Sequence, residues 1–537
     1  MTPLGQLPAQ MPGRLSGWLQ GRSAWWWLLL TAAWFAATAW ARPLMLPDEG
    51  RYVGVAWEML RSGDWLTPTL DGMPFFHKPP LFYWITAAAM AALGPNEWAG
   101  RAAPILGASS GAFALFLFVR RWYDERTART ALLVLLTQPF FFVGAQFANL
   151  DMLVAGCIGV TILLLAHAAL GAMNEGGMGR GVLAAAYVAA GLGILAKGLI
   201  GLVLPALVML CWLLALRRWR LIFSLLWWPG VLLLLLVAAP WFIAMQMRYP
   251  AFLDYFFVVQ HFKRFTEGGF NNAQPFWFYP AVLALLCLPW FVWLYPAFKR
   301  SYLGDPRLGP VRMLMWLWLL VVVIFFSLPQ SKLVGYVLPA VPPMSLLIAD
   351  GALGLAVASR WRQRGWQISA AVAVLICLGV VLRLSLHRVQ STKPLALALR
   401  LQQSPGDPVV FVNSYFYDIP FYARLRDPVA VVDTWHDPEI AQRDNWRKEL
   451  ADAAGFATPE AAAVLLTPDR LTQRLCQSTI TWLVATRTAA AGLPFLAEAR
   501  EIAGTERDAL WRVDHSQPAM ATALGCPGTP NAGSTSK

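Results

Sequence analysis

Charge is what this sequence has least of. Only 14% of its 537 residues are Asp, Glu, Lys or Arg, against roughly 25% in soluble domains, while 58% are hydrophobic. That shortage excludes a chain solvated on every side and puts much of it in lipid. Cysteine is also sparse, with six residues and no C-x-x-C pair or other metal-type spacing. Cys157, Cys211, Cys287 and Cys377 fall inside apolar runs and read as small core residues. Cys476 and Cys526 lie in a polar C-terminal part and can pair if that part faces an oxidising compartment. That part carries no G-x-G-x-x-G, Walker loop or nucleophile elbow. Acidic residues are outnumbered 30 to 43, for a net charge of +13. The basic residues come in short clusters between apolar runs, which is a topology signal rather than a nucleic-acid-binding face.

What the chain has in abundance is apolar runs of membrane-crossing length. They fall near 24–41, 99–119, 130–147, 151–171, 181–196, 198–216, 221–244, 276–297, 313–328, 335–358 and 366–386. The fold class expected is a polytopic α-helical membrane protein of about 11–13 transmembrane helices with a C-terminal α/β domain on the outer side. Arg14, Arg22, the run after them and Ala39-Trp40-Ala41 look like a secretory signal, but the run is long and Trp-rich. It is read as an uncleaved first span after a cytoplasmic 1–23. Clusters such as Arg120, Arg121, Arg126 and Arg129, or Arg217, Arg218 and Arg220, then lie on the cytoplasmic side, as the positive-inside rule asks. The connection 172–180 is the weak exception, with Arg180 alone.

The bundle occupies 24–386, and its first outer loop is 42–98. Within that loop, 81–93 is too short to span comfortably and is expected to lie at the interface. Residues 387–516 change character: 408–415, 428–435, 481–487 and 508–513 look like strands, with helical stretches near 438–455 and 458–476. The tail 517–537 is small and polar and is expected to be disordered.

The outer side collects cations that the topology rule does not favour there, among them Arg51, Lys78, Lys197, Arg264 and Lys332. An anionic ligand, such as a lipid phosphate, explains such a cluster. The loop segment 47–84 is long, charged, aromatic and proline-rich, which points to a site. Asp48 opens a helical stretch, where it is either a cap or a general base. Asp151 opens a span on the same side and has the same two readings. His77 and His261 can hold a divalent ion together, although two ordinary hydrogen-bonding histidines are the plainer reading. Lys332 can bind phosphate, with Tyr336 donating beside it.

These motifs resemble the ArnT-type branch of the protein O-mannosyltransferase superfamily. The likeness is carried by P-D-E-x-R-Y at 47–52, S-G-D-W-x-x-P at 62–68 and F-x-K-P-P at 76–80. Asp151, H-x-x-R-F at 261–265 and S-K-L-x-x-Y-x-L-P at 331–339 extend it. It implies a bacterial inner-membrane glycosyltransferase whose site and C-terminal domain are periplasmic. Its donor would be an undecaprenyl-phosphate-linked sugar, 4-amino-4-deoxy-L-arabinose or a related one. The acceptor would be lipid A, another envelope glycan or a protein. Asp48 matches the catalytic aspartate and Asp151 a second functional one. Lys78 and Tyr336 match residues that hold the lipid phosphate, with Arg51, Arg264 and Lys332 as neighbouring cations. His261 matches a histidine that can hold a metal with a glutamate, and here His77 stands at the glutamate's position. The alternatives are a protein O-mannosyltransferase-like enzyme and, from another class, a transporter or flippase for a lipid-linked anion.

Overall fold

Apolar length dictates most elements of the computed structural model, which describes residues 22–263, 273–356, 359–387 and 391–526. Among these, seven helices are long and apolar enough to cross a membrane: Ala102–Trp122, Leu150–Asn174, Arg180–Lys197, Trp228–Arg248, Gly309–Ser327, Val334–Leu355 and Arg360–Leu386. Two further spans are broken. Glu125–Thr137 and Pro139–Ala145 meet at 69°, and Phe278–Leu286 and Trp290–Phe298 meet at 118°. The continuous runs expected at 130–147 and 276–297 are therefore bent. Proline explains both breaks, because it removes an N–H and disfavours helix in the residue before it. The expected count is reached only if the shorter apolar helices Trp25–Ala36 and Ile200–Ala215 also cross.

Small residues set how closely the spans approach. A Cβ on Gly156 would lie 2.1 Å from the Gly107 carbonyl oxygen, so Ala102–Trp122 and Leu150–Asn174 touch backbone to backbone. The outer loop is ordered. Helix Asp48–Ser62 ends at Gly63, whose φ of 72° lets its N–H cap the Met59 carbonyl. A hairpin follows, with β1 (Thr69–Leu70) and β2 (Met73–Pro74) joined by Asp71-Gly72, both at positive φ. The buried Glu58 carboxylate accepts from Thr69 Oγ1 and from the Asp71 and Gly72 N–H groups at 2.7–3.0 Å, which ties hairpin to helix.

The C-terminal part forms a six-stranded sheet from β3 (Val409–Val412), β4 (Ala430–Val432), β5 (Leu465–Leu466), β6 (Ile480–Thr486), β7 (Arg500–Gly504) and β8 (Asp508–Asp514), in the order β5-β4-β3-β6-β8-β7. β5 and β7 lie outside the strands expected from the sequence, and β5 interrupts the helix expected over 458–476, leaving Thr458–Val464 and Pro468–Cys476. Alternate strand residues face two cores. Val409 and Phe411 join one apolar cluster that continues into the membrane bundle through Tyr417, Val53 and Phe35. Val410, Val412 and Trp511 pack with Leu471, Leu475, Met520 and Leu524 on the other face. The tail is corrected here: Pro518–Leu524 is a helix, and the Cys476–Cys526 disulfide holds it to Pro468–Cys476. Residues 527–537 lie outside the described residues.

The sheet domain docks on the outer loop through glycine. A Cβ on Gly50 would meet Leu46 Cδ2 at 2.7 Å, Tyr417 Cβ at 3.0 Å and the Asp418 N at 3.1 Å. The Val429 N–H also donates to Asp71 Oδ1 at 2.8 Å, so helix, hairpin and sheet domain hold one another.

Candidate active site

Asp48 begins its helix directly after Pro47 with its side chain 39% exposed, and it pairs with Arg51 one turn on. Arg51 also pairs with Glu449 of helix Trp446–Ala454, and Glu449 accepts from the Tyr417 hydroxyl at 2.5 Å. Burial pushes the Glu449 carboxyl up, against the pull of Arg51 and Tyr417. The next residue, Glu49, is fully buried and does different work. It accepts from Arg101 at 2.9 and 3.0 Å, from Arg42, and from the N–H groups of Met45 (2.9 Å) and Ala148 (2.8 Å). Burial alone would raise this carboxyl, but the two guanidiniums hold it at about 2. Glu49 thus binds the start of the outer loop to the 146–149 turn that leads to Asp151.

Asp151 is not the cap of its helix. Asn149 takes that role, accepting from the Asp151 N–H at 2.6 Å. Its Nδ2 donates to Asp151 Oδ2 at 3.1 Å. The Asp151 carboxylate is left to pair with Lys197, the last residue of Arg180–Lys197. The Lys197 ammonium in turn sits 4.3 Å from the Tyr336 ring centre, a cation–π contact. A Cβ on Gly335 would lie 2.2 Å from Asp151 Oδ2, so this approach requires glycine.

Two cavities meet at these groups. One, of about 260 Å³, is mostly apolar and runs along Val154, Ile158, Leu199, Ile200, Val203 and Phe326. The other, of about 660 Å³, is polar and is lined by Asp48, Arg51, His77 and Asn149 and, from the sheet domain, by Tyr417, Asp444 and Glu449. Lys78, Asp151, Lys197 and Tyr336 line both. The arrangement offers a hydrocarbon-compatible groove, a cationic junction and a polar chamber holding a half-exposed carboxylate.

Of the residues expected at the site, Asp48, Arg51, His77, Lys78, Asp151 and Tyr336 come together. Lys332 does not join them. It is 4% exposed, and its ammonium donates to the carbonyls of Pro329 (2.6 Å), Gln274 (2.8 Å) and Gln330 (3.5 Å), stitching the 329–332 turn to 273–274. Arg264 and the side chain of His261 lie outside the described residues. His77 stacks on Phe75 at 4.5 Å, and its Nε2 is 3.8 Å from Asp452 Oδ2. Among the described residues no group of three His, Cys, Asp or Glu is placed to hold a metal ion. Among the described residues, His77 faces a single carboxylate, Asp452. Lys197 appeared in the sequence only as a cation on the outer side, and Glu449 and Tyr417 gave no signal at all.

A helical membrane bundle with a carboxylate-bearing first loop, cavities beneath it and a sheet domain above is the architecture against which the comparisons are set. Residues 37–256 match the family described as dolichyl-phosphate-mannose-protein mannosyltransferase. The undecaprenyl phosphate-alpha-4-amino-4-deoxy-L-arabinose arabinosyl transferase 2 of Pseudomonas fluorescens is 32% identical over 356 residues, 66% of this chain and 63% of that protein. A corresponding transferase of Sodalis glossinidius is 34% identical over 68% of this chain and 65% of its own. The aligned stretch thus spans just under two thirds of each of these relatives. The fold of ArnT from Cupriavidus metallidurans bound to undecaprenyl phosphate superposes with a TM-score of 0.77 at 24% identity, covering 93% of this chain and 98% of that one. The chain is thus similar, over its membrane bundle, to arabinosyl transferases of this kind, and it shares the fold of ArnT.

Proposed function

We propose that this protein transfers a sugar from undecaprenyl phosphate to an envelope acceptor, lipid A or a related molecule, at the periplasmic face of the bacterial inner membrane. The observation that carries this reading is the junction of the two cavities at Lys78, Lys197, Asp151 and Tyr336. The apolar groove suits a polyprenyl chain, the cations at its end suit the phosphate, and the polar chamber suits the sugar and the incoming acceptor. The relatives are named as transferases of 4-amino-4-deoxy-L-arabinose, which makes that sugar the first to test.

In the reaction an acceptor oxygen attacks the anomeric carbon, and the bond from that carbon to the phosphate oxygen breaks. The phosphate leaves with the electron pair. Lys78 and Lys197 offset the charge that builds on it. Asp48 takes the proton of an attacking hydroxyl, or orients the acceptor when the nucleophile is already a phosphate oxygen. Arg51 holds Asp48 in place and is itself held by Glu449.

Two observations support this orientation. The basic clusters at 120–129 and 217–220 favour the cytoplasm for the opposite end of the bundle. The Cys476–Cys526 disulfide favours an oxidising compartment for the sheet domain, which shares a wall with the site. The test is incubation of the purified protein with defined undecaprenyl-phosphate sugars and lipid A. Product from the wild type and none from Asp48→Asn supports the reading. Turnover unchanged by both Asp48→Asn and Lys78→Ala would remove the site assignment.

A further inference from the structure

The helix that leads into the sheet domain is apolar on both of its faces. Lys393–Gln402 carries leucine at 395, 397, 399 and 401. Leu395 and Leu399 are buried with Ala396 in the core shared with the membrane bundle, as the apolar stripe of a surface helix should be. Leu397 and Leu401, one turn apart, lie on the opposite face and are 39% and 86% exposed. Among the described residues they are the only large hydrophobic side chains exposed on the sheet domain. A helix with leucine on both sides is normally covered on both.

Cations flank the uncovered face. Arg400 shares it with the two leucines, Arg424 and Arg426 lie on a neighbouring segment, and all three are exposed. Burial, and then the nearby Arg400, hold the Arg424 guanidinium below the usual arginine range, so the two cations stand close together. Among the described residues none of the three is ion-paired, although Asp427 follows Arg426 in the chain. Arg424 also takes a φ of 57° at the end of helix Ile419–Ala423, a position that glycine fills without strain. Unpaired, mutually repelling cations on a strained backbone suit a surface that meets anions.

Both ends of the helix are tied to the layer where the chain leaves the bundle. Lys393 pairs with Glu97, just ahead of span Ala102–Trp122. Tyr422 donates to Glu97 at 3.1 Å and accepts from the Leu44 N–H at 2.8 Å, and the Leu425 carbonyl accepts from Arg61 at 2.7 Å. Arg424, between Tyr422 and Leu425, is therefore held against the outer loop, and Arg400 with it. Trp98, next to Glu97, is exposed and donates to the Ala36 carbonyl at the end of Trp25–Ala36. Exposed tryptophans at the ends of spans mark the boundary between hydrocarbon and water.

We propose that the Leu397–Leu401 face, with Arg400 and Arg424, is a membrane-docking surface for the anionic headgroups of the adjacent leaflet. The leucines enter the headgroup boundary and the guanidiniums pair with lipid phosphates. Ser391 and Thr392, immediately before the helix, line the polar cavity, so this contact holds one wall of the cavity at the bilayer surface.

The experiment places nitroxide labels at Leu401→Cys and, on the opposite face of the sheet, at Gln473→Cys. It uses the full-length chain with Cys157, Cys211, Cys287 and Cys377 replaced by alanine and the disulfide kept. In single-copy nanodiscs of phosphatidylglycerol, collisions with a water-soluble nickel chelate should be severalfold rarer at 401 than at 473. In phosphatidylcholine nanodiscs, or after Arg400→Gln with Arg424→Gln, most of that protection should be lost. Equal collision rates at 401 and 473 in phosphatidylglycerol, or equal protection in the two lipids, would overturn the proposal. Protection seen only in nanodiscs that hold two copies would assign the face to a dimer and overturn it as well. If the alanine background does not accumulate, amide exchange of the wild type carries the test. Exchange in Lys393–Gln402 should then be slower in phosphatidylglycerol than in phosphatidylcholine, and equal rates would overturn the proposal.

Discussion

Replacing Glu49 with Gln should unlatch the outer loop without touching the cavity surface. The wild-type carboxylate is fully buried and receives Arg42, both arms of Arg101 and the N–H groups of Met45 and Ala148. A neutral amide leaves two buried guanidiniums short of their counter-charge, and breaking a buried pair in this way typically costs about 3–5 kcal/mol. The pH dependence gives an independent measure. The carboxyl is lowered from 4.5 to about 2, so its contribution is complete above pH 4.5 and fades as pH falls toward 2. That shift corresponds to about 3 kcal/mol, with roughly 2 kcal/mol of it gone by pH 3. Glu58 and Asp71 are pushed up by burial and act in the opposite sense, so the readout is the difference between the two proteins. In detergent, the thermal midpoint of Glu49→Gln should lie several degrees below wild type at pH 7, with the gap closing as pH approaches 3. Equal midpoints at pH 7, or a gap independent of pH, would refute the reasoning. A double-mutant cycle with Arg101→Met should give a coupling above about 1 kcal/mol.

Lys197→Met removes the partner of Asp151 and a cation shared by both cavities, so donor KM should rise by about tenfold in steady-state assays. Gly335→Ala drives a methyl group against Asp151 Oδ2. Transfer should fall by about a hundredfold, with little change in thermal midpoint, as kcat and melting measured together would show. Replacing Cys476 and Cys526 with Ser opens a link between positions 50 residues apart, a change of up to about 4 kcal/mol on chain-entropy grounds. Amide exchange should then speed up in Pro518–Leu524 and Pro468–Cys476 and leave helix Asp48–Ser62 unaltered.

Particular residues show why the sequence was legible in places and opaque in others. Asp48, Arg51 and Lys78 could be picked out because one short loop carries them among prolines and aromatics. Asp151 was ambiguous between cap and functional group, and Asn149, two residues earlier, resolves it by capping the helix. Lys332 misled because a lysine in a polar-aromatic motif looks the same in sequence whether it meets a phosphate or, as here, three carbonyls. Glu449 lies 398 residues from Arg51, and nothing near either residue announces the pair. β5 and β7 were missed because two-residue and largely exposed strands have too little apolar alternation to register.

Membrane class, approximate spans, the sidedness pattern of the arginines and the importance of 47–84 were determined by the sequence itself. All of these depend on local apolar length, local charge and local turn chemistry. Only the tertiary structure decided which carboxylate meets which cation: Asp151 with Lys197, Arg51 with both Asp48 and Glu449, and Glu49 with Arg42 and Arg101. It also decided that the sheet domain completes the polar cavity. Most of those pairings and that shared wall join segments far apart in the chain, and packing around glycines such as Gly50 and Gly335 sets their geometry.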